Sequence, residues 1–341
     1  MARQGVRSAW YGLQMRRVKS ASGGWNVEGE EAFVPSSGKP DMSILRKAYF
    51  ELFKKDRQNI EAGLYRSPQE VSLTKLPEAL RSARAFFADA EAVNRRRTER
   101  VGDEVKQIVP QGSNRYPDYY LQNFHYQSDG WFSDESAELY DTQVEALFSG
   151  TAAAMRRCAL AAIAREMKGR DQREQNLLDV ACGNGRFLET VMDHYPRLQA
   201  TGLDLSPNYT DAARKRLSAW PQVAVLHEAA EAMPVEAGSQ NIVVSVFLFH
   251  ELPEEVRAKV LAEVARVLVP GGLFVLCDSV QFDDYDGLNG ALEYFPHGFH
   301  EPYYLNYLSW DHVSACEAVG LTPVSSELAF LSKVSCWRKP G

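Results

Sequence analysis

The stretch Leu177-Leu178-Asp179-Val180-Ala181-Cys182-Gly183-Asn184-Gly185-Arg186-Phe187 decides how the chain is read. An apolar run ends, two glycines one residue apart make a turn, and a helical pattern begins. Glycines there let the backbone pass close to a ligand at the carboxyl end of a sheet, where open α/β sheets bind nucleotides. Asp204 lies 19 residues beyond Gly185 and closes the next apolar run in Gly202-Leu203-Asp204-Leu205-Ser206. An acid at that place takes both ribose hydroxyls of an adenosine.

Outward from this turn the pattern alternates. Apolar runs occur at 176–182, 198–205, 223–228, 241–249 and 272–278, with helical stretches at 185–194, 207–219 and 254–268. Runs buried on both faces and separated by helices predict a parallel sheet with right-handed crossovers. A helix over 310–319 ends at Gly320. The runs 321–330 and 333–338 are too closely joined for a crossover and predict an antiparallel hairpin at one end of the sheet.

The turn admits two cofactors, and details separate them. A dinucleotide fingerprint needs a third glycine, where this chain has Leu188. Asp179 stands four residues before Gly183. A carboxylate there repels a pyrophosphate and suits an ammonium. S-adenosylmethionine (SAM) carries an ammonium and a sulfonium and no phosphate.

The segment Asp179 to Gly185 resembles the first motif of class I SAM-dependent methyltransferases. The likeness continues through Gly202 to Ser206, Ala230-Glu231-Ala232-Met233-Pro234, Phe249-His250-Glu251-Leu252 and Val267-Leu268-Val269-Pro270-Gly271-Gly272. Within the superfamily it is most similar to the small-molecule branch with the ubiquinone/menaquinone-type enzymes. The resemblance implies an α/β, Rossmann-like seven-stranded sheet in the order 3-2-1-4-5-7-6, strand 7 antiparallel. It implies that Asp179 and the Ala181 carbonyl face the methionine ammonium, and that Cys182, Gly183 and Gly185 line the close approach. Asp204 would hold the ribose and Leu205 would pack on adenine. The family often has an acid before the Ala-Glu pair; with Ala229 there, Ala230 and Glu231 are left for the adenine, Glu228 being a substitute. Phe247 completes the expected cofactor set, and S-adenosylhomocysteine would be the product.

Methyl transfer from a sulfonium is an in-line displacement, so the protein mainly aligns the acceptor and excludes water. A base is needed only when the acceptor is protonated. His250, after the fourth strand, is placed to take or orient a proton; a strand-end histidine also serves as cofactor contact or packing. The Asn/Asp-Pro-Pro-Tyr motif of nucleic-acid and glutamine amide methylation is absent. The cluster Phe295-Pro296-His297-Gly298-Phe299-His300-Glu301-Pro302-Tyr303-Tyr304 reads as a loop, and its spacing matches no metal site. Tyr126, Trp131, Tyr140, Phe249, Tyr303 and Tyr304 are expected on the acceptor side.

The chain before this domain is less legible. Residues 1–27 hold five basic residues and no acid, the composition of an organellar transit peptide or of a mobile basic tail. A Gly/Ser/Pro-rich linker follows to about residue 40, then helices over 42–60 and 77–97, the latter ending in a basic run suited to its dipole. Seven aromatics fall within 116–132 without a clean period, as core under a loop or as a pocket wall. Two helices, 136–148 and 151–167, lead into the sheet. The expected organisation is a flexible 1–40, a mainly helical 41–135 acting as a substrate cap, and a SAM domain over 136–341.

The 341 residues carry a net charge of −7, are 45% hydrophobic, and hold five scattered cysteines. The charge disfavours nucleic acid as a partner. No apolar run approaches the ~20 residues of a membrane span, and the cysteines read as free thiols of a reducing compartment. The leading expectation is a cytoplasmic methyltransferase with a small, aromatic or apolar acceptor. The alternatives are a protein or tRNA methyltransferase recruited by the N-terminal helices, and a catalytically silent partner subunit.

Overall fold

The computed structural model describes residues 33–68, 93, 95–99, 101–109 and 115–341. The basic N-terminus and most of the helix expected over 77–97 lie outside the described residues. The described chain forms two compact units.

The larger unit comprises Leu45–Arg66, Ala154–Asp284 and Tyr303–Gly341. Its centre is a seven-stranded sheet in the order β3-β2-β1-β4-β5-β7-β6. The strands are β1 Asn176–Val180, β2 Gln199–Asp204, β3 Val223–His227, β4 Gln240–Val246, β5 Leu268–Ser279, β6 Thr322–Ala329 and β7 Ser332–Arg338. β1 to β5 pair in parallel and β7 runs antiparallel to both β5 and β6. The fold is the expected one. Leu177, Leu178, Ile242, Val243, Val244, Phe274 and Val275 are buried, as strands covered on both faces must be.

The helices with described bounds are α1 Met42–Glu61, α2 Asp134–Leu147, α3 Ala152–Met167, α4 Arg186–His194, α5 Pro207–Arg216, α6 Glu254–Val267, α7 Asn289–Gly298, α8 Tyr304–Leu308 and α9 His312–Ala318. Local chemistry sets their ends. Ser206 caps α5, its hydroxyl accepting from Tyr209 N at 3.1 Å, with Pro207 in the first turn. Asp311 caps α9 through Val313 N and Ser314 N. α6 passes into β5 without a loop, so β5 begins four residues before the apolar run that marks it in the sequence. α1 is tied into this unit by Asp56, whose carboxylate accepts from Arg157 Nε at 2.7 Å and Nη2 at 2.9 Å and from Tyr65 at 2.8 Å.

The smaller unit takes in the described residues up to Ile44, those of Ser67–Ala153, and Tyr285–Pro302. The aromatic segment 116–132 forms short 3₁₀ turns, Asp118–Tyr120 and Phe124–Tyr126, rather than a regular element. Its rings pack on one another: Phe124 and Trp131 at 6.0 Å, Tyr116 and Phe132 at 4.9 Å. Two expectations change here. Phe295 to Gly298 is the last turn of α7 and not loop: Pro296 lies inside that turn at the loss of one i→i−4 hydrogen bond, and the helix ends two residues later. The basic run at 95–97 is not a solvated dipole partner. Arg96 and Arg97 are buried, and Arg96 pairs with Glu104 and donates to the Tyr126 carbonyl at 3.2 Å.

Candidate active site

The strand order reverses between β1 and β4, the two strands that end beside each other in the middle of the sheet. Open α/β sheets bind ligands at the carboxyl ends flanking such a point. Here both strands are followed by a non-glycine residue in the left-handed region, Ala181 at φ 60° and Phe247 at φ 61°. Strain of this kind gathers at ligand sites because the surroundings impose it.

The glycine turn follows β1. Gly183 and Gly185 have φ 55° and 77°, and Gly185 opens α4. A Cβ on Gly185 would stand 3.1 Å from the Ala213 Cβ and 3.1 Å from Leu217, so α4 and α5 approach as closely as they do only with glycine there. Cys182 is buried; its N–H donates to the Leu203 carbonyl at 3.0 Å, and a Cβ on Gly202 would fall 2.8 Å from its sulfur.

Asp204 ends β2 and is held from both sides. Oδ2 accepts from Gly183 N at 2.8 Å and Oδ1 from Ser206 N at 2.9 Å. Burial pushes its carboxyl up to about 6, against these backbone N–H bonds. Each oxygen keeps a lone pair for a donor such as a ribose hydroxyl. Leu205 follows, its carbonyl 2.9 Å from His227 Nε2. Ala230 is buried and Glu231 half-buried, past the end of β3.

Asp179 lies within β1 and is 1% exposed. Its Oδ2 has no hydrogen-bond partner among the described residues. Burial, with the charge of Asp204 added, pushes its carboxyl up to about 8, and Arg156 opposes the shift. A buried carboxylate oxygen without a donor is costly unless something supplies one. The missing donor fits an ammonium. Arg156, buried on α3 with its guanidinium 5.7 Å over the Phe247 ring, adds a cation beside Asp179 that fits a carboxylate. An amino-acid ammonium and carboxylate together match the methionine end of SAM. Arg156 is missing from the sequence reading; its signal is an arginine pair, Arg156-Arg157, inside an otherwise alanine-rich helix.

Past β4, the turn Phe249–Glu251 carries His250. His250 is buried at 8% exposure, with Nδ1 2.6 Å from Asp278 Oδ1. Asp278, 1% exposed near the end of β5, is itself fixed by Phe249 N on Oδ2 at 2.7 Å and by Ser279 N on Oδ1 at 2.7 Å. This arrangement makes Nδ1 the donor and leaves Nε2 as the basic nitrogen. Nε2 stands 4.0 Å from Glu251 Oε1. Tyr304 and Tyr307 set their rings edge-on to the imidazole, at 6.0 and 6.2 Å. The Tyr304 hydroxyl is 2.8 Å from Ser279 Oγ. Phe249 is fully buried and stacks on Trp310 at 5.7 Å, and Tyr303 is half-buried just before α8.

Of the other residues expected on the acceptor side, Tyr126, Trp131 and Tyr140 belong to the smaller unit. Tyr126 and Trp131 are buried, Tyr126 5.5 Å from the His300 ring and Trp131 5.8 Å from Tyr140. Glu301 of the expected loop cluster is buried 2.8 Å from His125 Nδ1.

Residues 177–272 match the methyltransferase-domain family. The chain carries a class I SAM-dependent methyltransferase domain. Its relatives include the sterol 4-C-methyltransferase of Caenorhabditis elegans, 26% identical over 112 residues, which are 32% of each chain. The demethylmenaquinone methyltransferase of Deinococcus radiodurans is 32% identical over 106 residues, 30% of this chain and 43% of the relative. The matched stretch thus spans less than half of these curated relatives. Among solved structures, the CurJ carbon methyltransferase shares the fold across 98% of this chain and 94% of its own, with TM-score 0.53 and 14% identity. Asp179 and Asp204 hold the places in the methyltransferase domain where the glycine turn meets the sheet. Among the described residues no helix is long and apolar enough to cross a membrane.

Proposed function

We propose that the chain transfers a methyl group from SAM to a small-molecule acceptor whose reacting atom carries a proton, and that His250 removes that proton. The observation that carries this reading is the pair His250–Asp278, with Nδ1 2.6 Å from a carboxylate that two backbone N–H groups already hold. An amine lone pair or a thiolate needs no base. A hydroxyl or a carbon acid does. SAM supplies an activated methyl group when bound; the residues of this chain align the acceptor and take the proton.

Asp179 would hold the ammonium of the cofactor, Arg156 its carboxylate and Asp204 its ribose, with Ala181, Cys182, Gly183 and Gly185 giving close backbone approach. Leu205, Ala230, Glu231 and Phe247 would complete the cofactor wall. His250 takes the proton on Nε2 while Asp278 holds the ring and stabilises the imidazolium. Tyr303 and Tyr304 would contact the acceptor. Relatives named for a sterol carbon and for demethylmenaquinone agree with a small organic acceptor.

The test is methyl transfer from labelled SAM to a fractionated metabolite extract, followed by kinetics on the acceptor found. His250→Ala should lower kcat by roughly 10²–10⁴, the range for loss of a general base, and leave SAM affinity unchanged. If the mutant loses SAM binding together with activity, His250 is a cofactor contact. If label enters only protein or RNA, the acceptor is not a small molecule.

A further inference from the structure

Arg257, in the first turn of α6, is the largest side chain buried without measurable exposure. Its Nη2 donates to Asn306 Oδ1. Among the described residues, Nε and Nη1 donate to nothing. Two rings lie against it, Cζ being 4.9 Å from the Trp310 centroid and 5.9 Å from that of Tyr307, and Glu254 and Glu255 of the same helix act on its charge. Cation–π contact offsets part of the desolvation. An apolar side chain of like volume would fill the same space without two unsatisfied nitrogens. Glu254 and Glu255 are exposed, so solvent screens their attraction, and stability alone gives little reason for a charge at this place.

The groups around His250 do give one. Tyr307, against which Arg257 rests, has its ring 6.2 Å from that of His250 and donates its hydroxyl to the Ser279 carbonyl at 2.7 Å. The charged and titratable groups facing His250 include Asp278 from β5, Glu251 from its own turn, and Tyr304 and Tyr307 from α8. Both carboxylates favour the imidazolium. An imidazole already protonated accepts nothing, so a base flanked by two acids needs an opposing charge. Asp278 also lies in the field of Arg257.

We propose that Arg257 is a positioning residue for His250: its buried charge, held on the rings of Tyr307 and Trp310, offsets the fields of Asp278 and Glu251 and keeps Nε2 free of a proton near neutral pH. This rests on the reading of His250 as the base, but it concerns the imidazole alone and is measured without an acceptor. The steps of 5.9 Å from Cζ to the Tyr307 ring and 6.2 Å from that ring to the imidazole keep the charge within about 12 Å of His250, where at an effective dielectric of ~20 a unit charge moves a titration midpoint by about one pH unit.

The test is a pH titration of the full chain with ¹⁵N-labelled histidine, the His250 ring signals being assigned by their loss in His250→Gln. Arg257→Met and Arg257→Gln should each raise the His250 midpoint by about one unit, and Arg257→Lys should restore it. If neither neutral variant keeps the wild-type near-ultraviolet circular dichroism, Asn306→Asp replaces them, since it sets a carboxylate on Arg257. Leu305→Asp adds the same charge at the exposed neighbouring position. Asn306→Asp should then raise the midpoint more than Leu305→Asp does. An unmoved midpoint in a folded neutral variant, or equal shifts in the two aspartate variants, overturns the proposal. A midpoint that moves as expected while His250→Ala still methylates at the wild-type rate would leave Arg257 as the tuner of a histidine that is not the base.

Discussion

Asp179 poses the sharpest question at the scale of single residues. It is buried, its Oδ2 lacks a donor, and burial holds its carboxyl up at about 8. An ammonium requires the carboxylate form. Below about pH 8 the cofactor must therefore displace a proton, and above it none. SAM affinity should fall as pH drops below 8, by up to about tenfold per unit, and calorimetry in two buffers of different ionisation enthalpy should show proton release at pH 7. The same shift acts on stability without cofactor. A carboxyl whose folded pKa lies above its unfolded value favours folding when protonated, so this contribution is present below about pH 4 and is lost as pH rises toward 8. His250 answers to Asp278 in the same way that Asp179 answers to its ligand. Asp278→Asn keeps the shape but removes the charge that stabilises the imidazolium. It should lower kcat by at least tenfold with SAM affinity unchanged, and equal losses in both would show that Asp278 merely supports the fold.

At the scale of elements, the glycine turn between β1 and α4 tests whether close approach or only flexibility is needed. Gly185 has φ 77°, and an added Cβ meets α5 at 3.1 Å. Gly185→Ala should destabilise the chain by about 1–3 kcal/mol, since it combines a left-handed backbone with crowding; thermal unfolding measures it. Gly183 has room for a Cβ, with Tyr209 Cδ1 at 3.8 Å. Gly183→Ala should cost less stability than Gly185→Ala while reducing SAM affinity more. These elements were legible in the sequence because their signals are local. Two glycines, an apolar run on each side and a capping Ser206-Pro207 determine strand, turn and helix within a few residues. The reach of β5 back to Leu268 was not legible, because Pro270-Gly271-Gly272 reads as a breaker; in the fold it is an irregularity within β5, with Gly271 at φ 78° and the β4 register shifting across it. Pro296 misled in a similar way: it reads as a breaker, yet α7 keeps it in its last turn at the loss of one hydrogen bond.

For the whole molecule, the limit of sequence reading is partnership between distant residues. His250 was visible at a strand end, but Asp278 stands 28 positions away and Arg156 lies in a helix with no motif. Asp278 had one available signal, an acid closing the apolar run of a strand beside β4. Asp56 had none; only the fold brings α1 to Arg157. That buried pair, 9% and 3% exposed at the side chains, makes a further prediction. Arg157→Met should cost about 3–5 kcal/mol, because it strands Asp56 in the interior. The double variant with Asp56→Leu should recover much of that loss, which denaturant unfolding will show.

The reading of the turn as a cradle for SAM underlies every proposal made for the site, and one experiment reaches it without an acceptor. Isothermal titration of the full chain with S-adenosylhomocysteine, with SAM and with NAD compares the two cofactors that the glycine turn admits. Asp204→Ala removes a carboxylate that Gly183 N and Ser206 N hold ready for a ribose. The account predicts binding of both adenosyl ligands, none of NAD, and a loss of about 1.5–3 kcal/mol of affinity for each charged hydrogen bond removed in Asp204→Ala. Tight NAD binding, or adenosyl affinity unchanged in a folded Asp204→Ala, would contradict it.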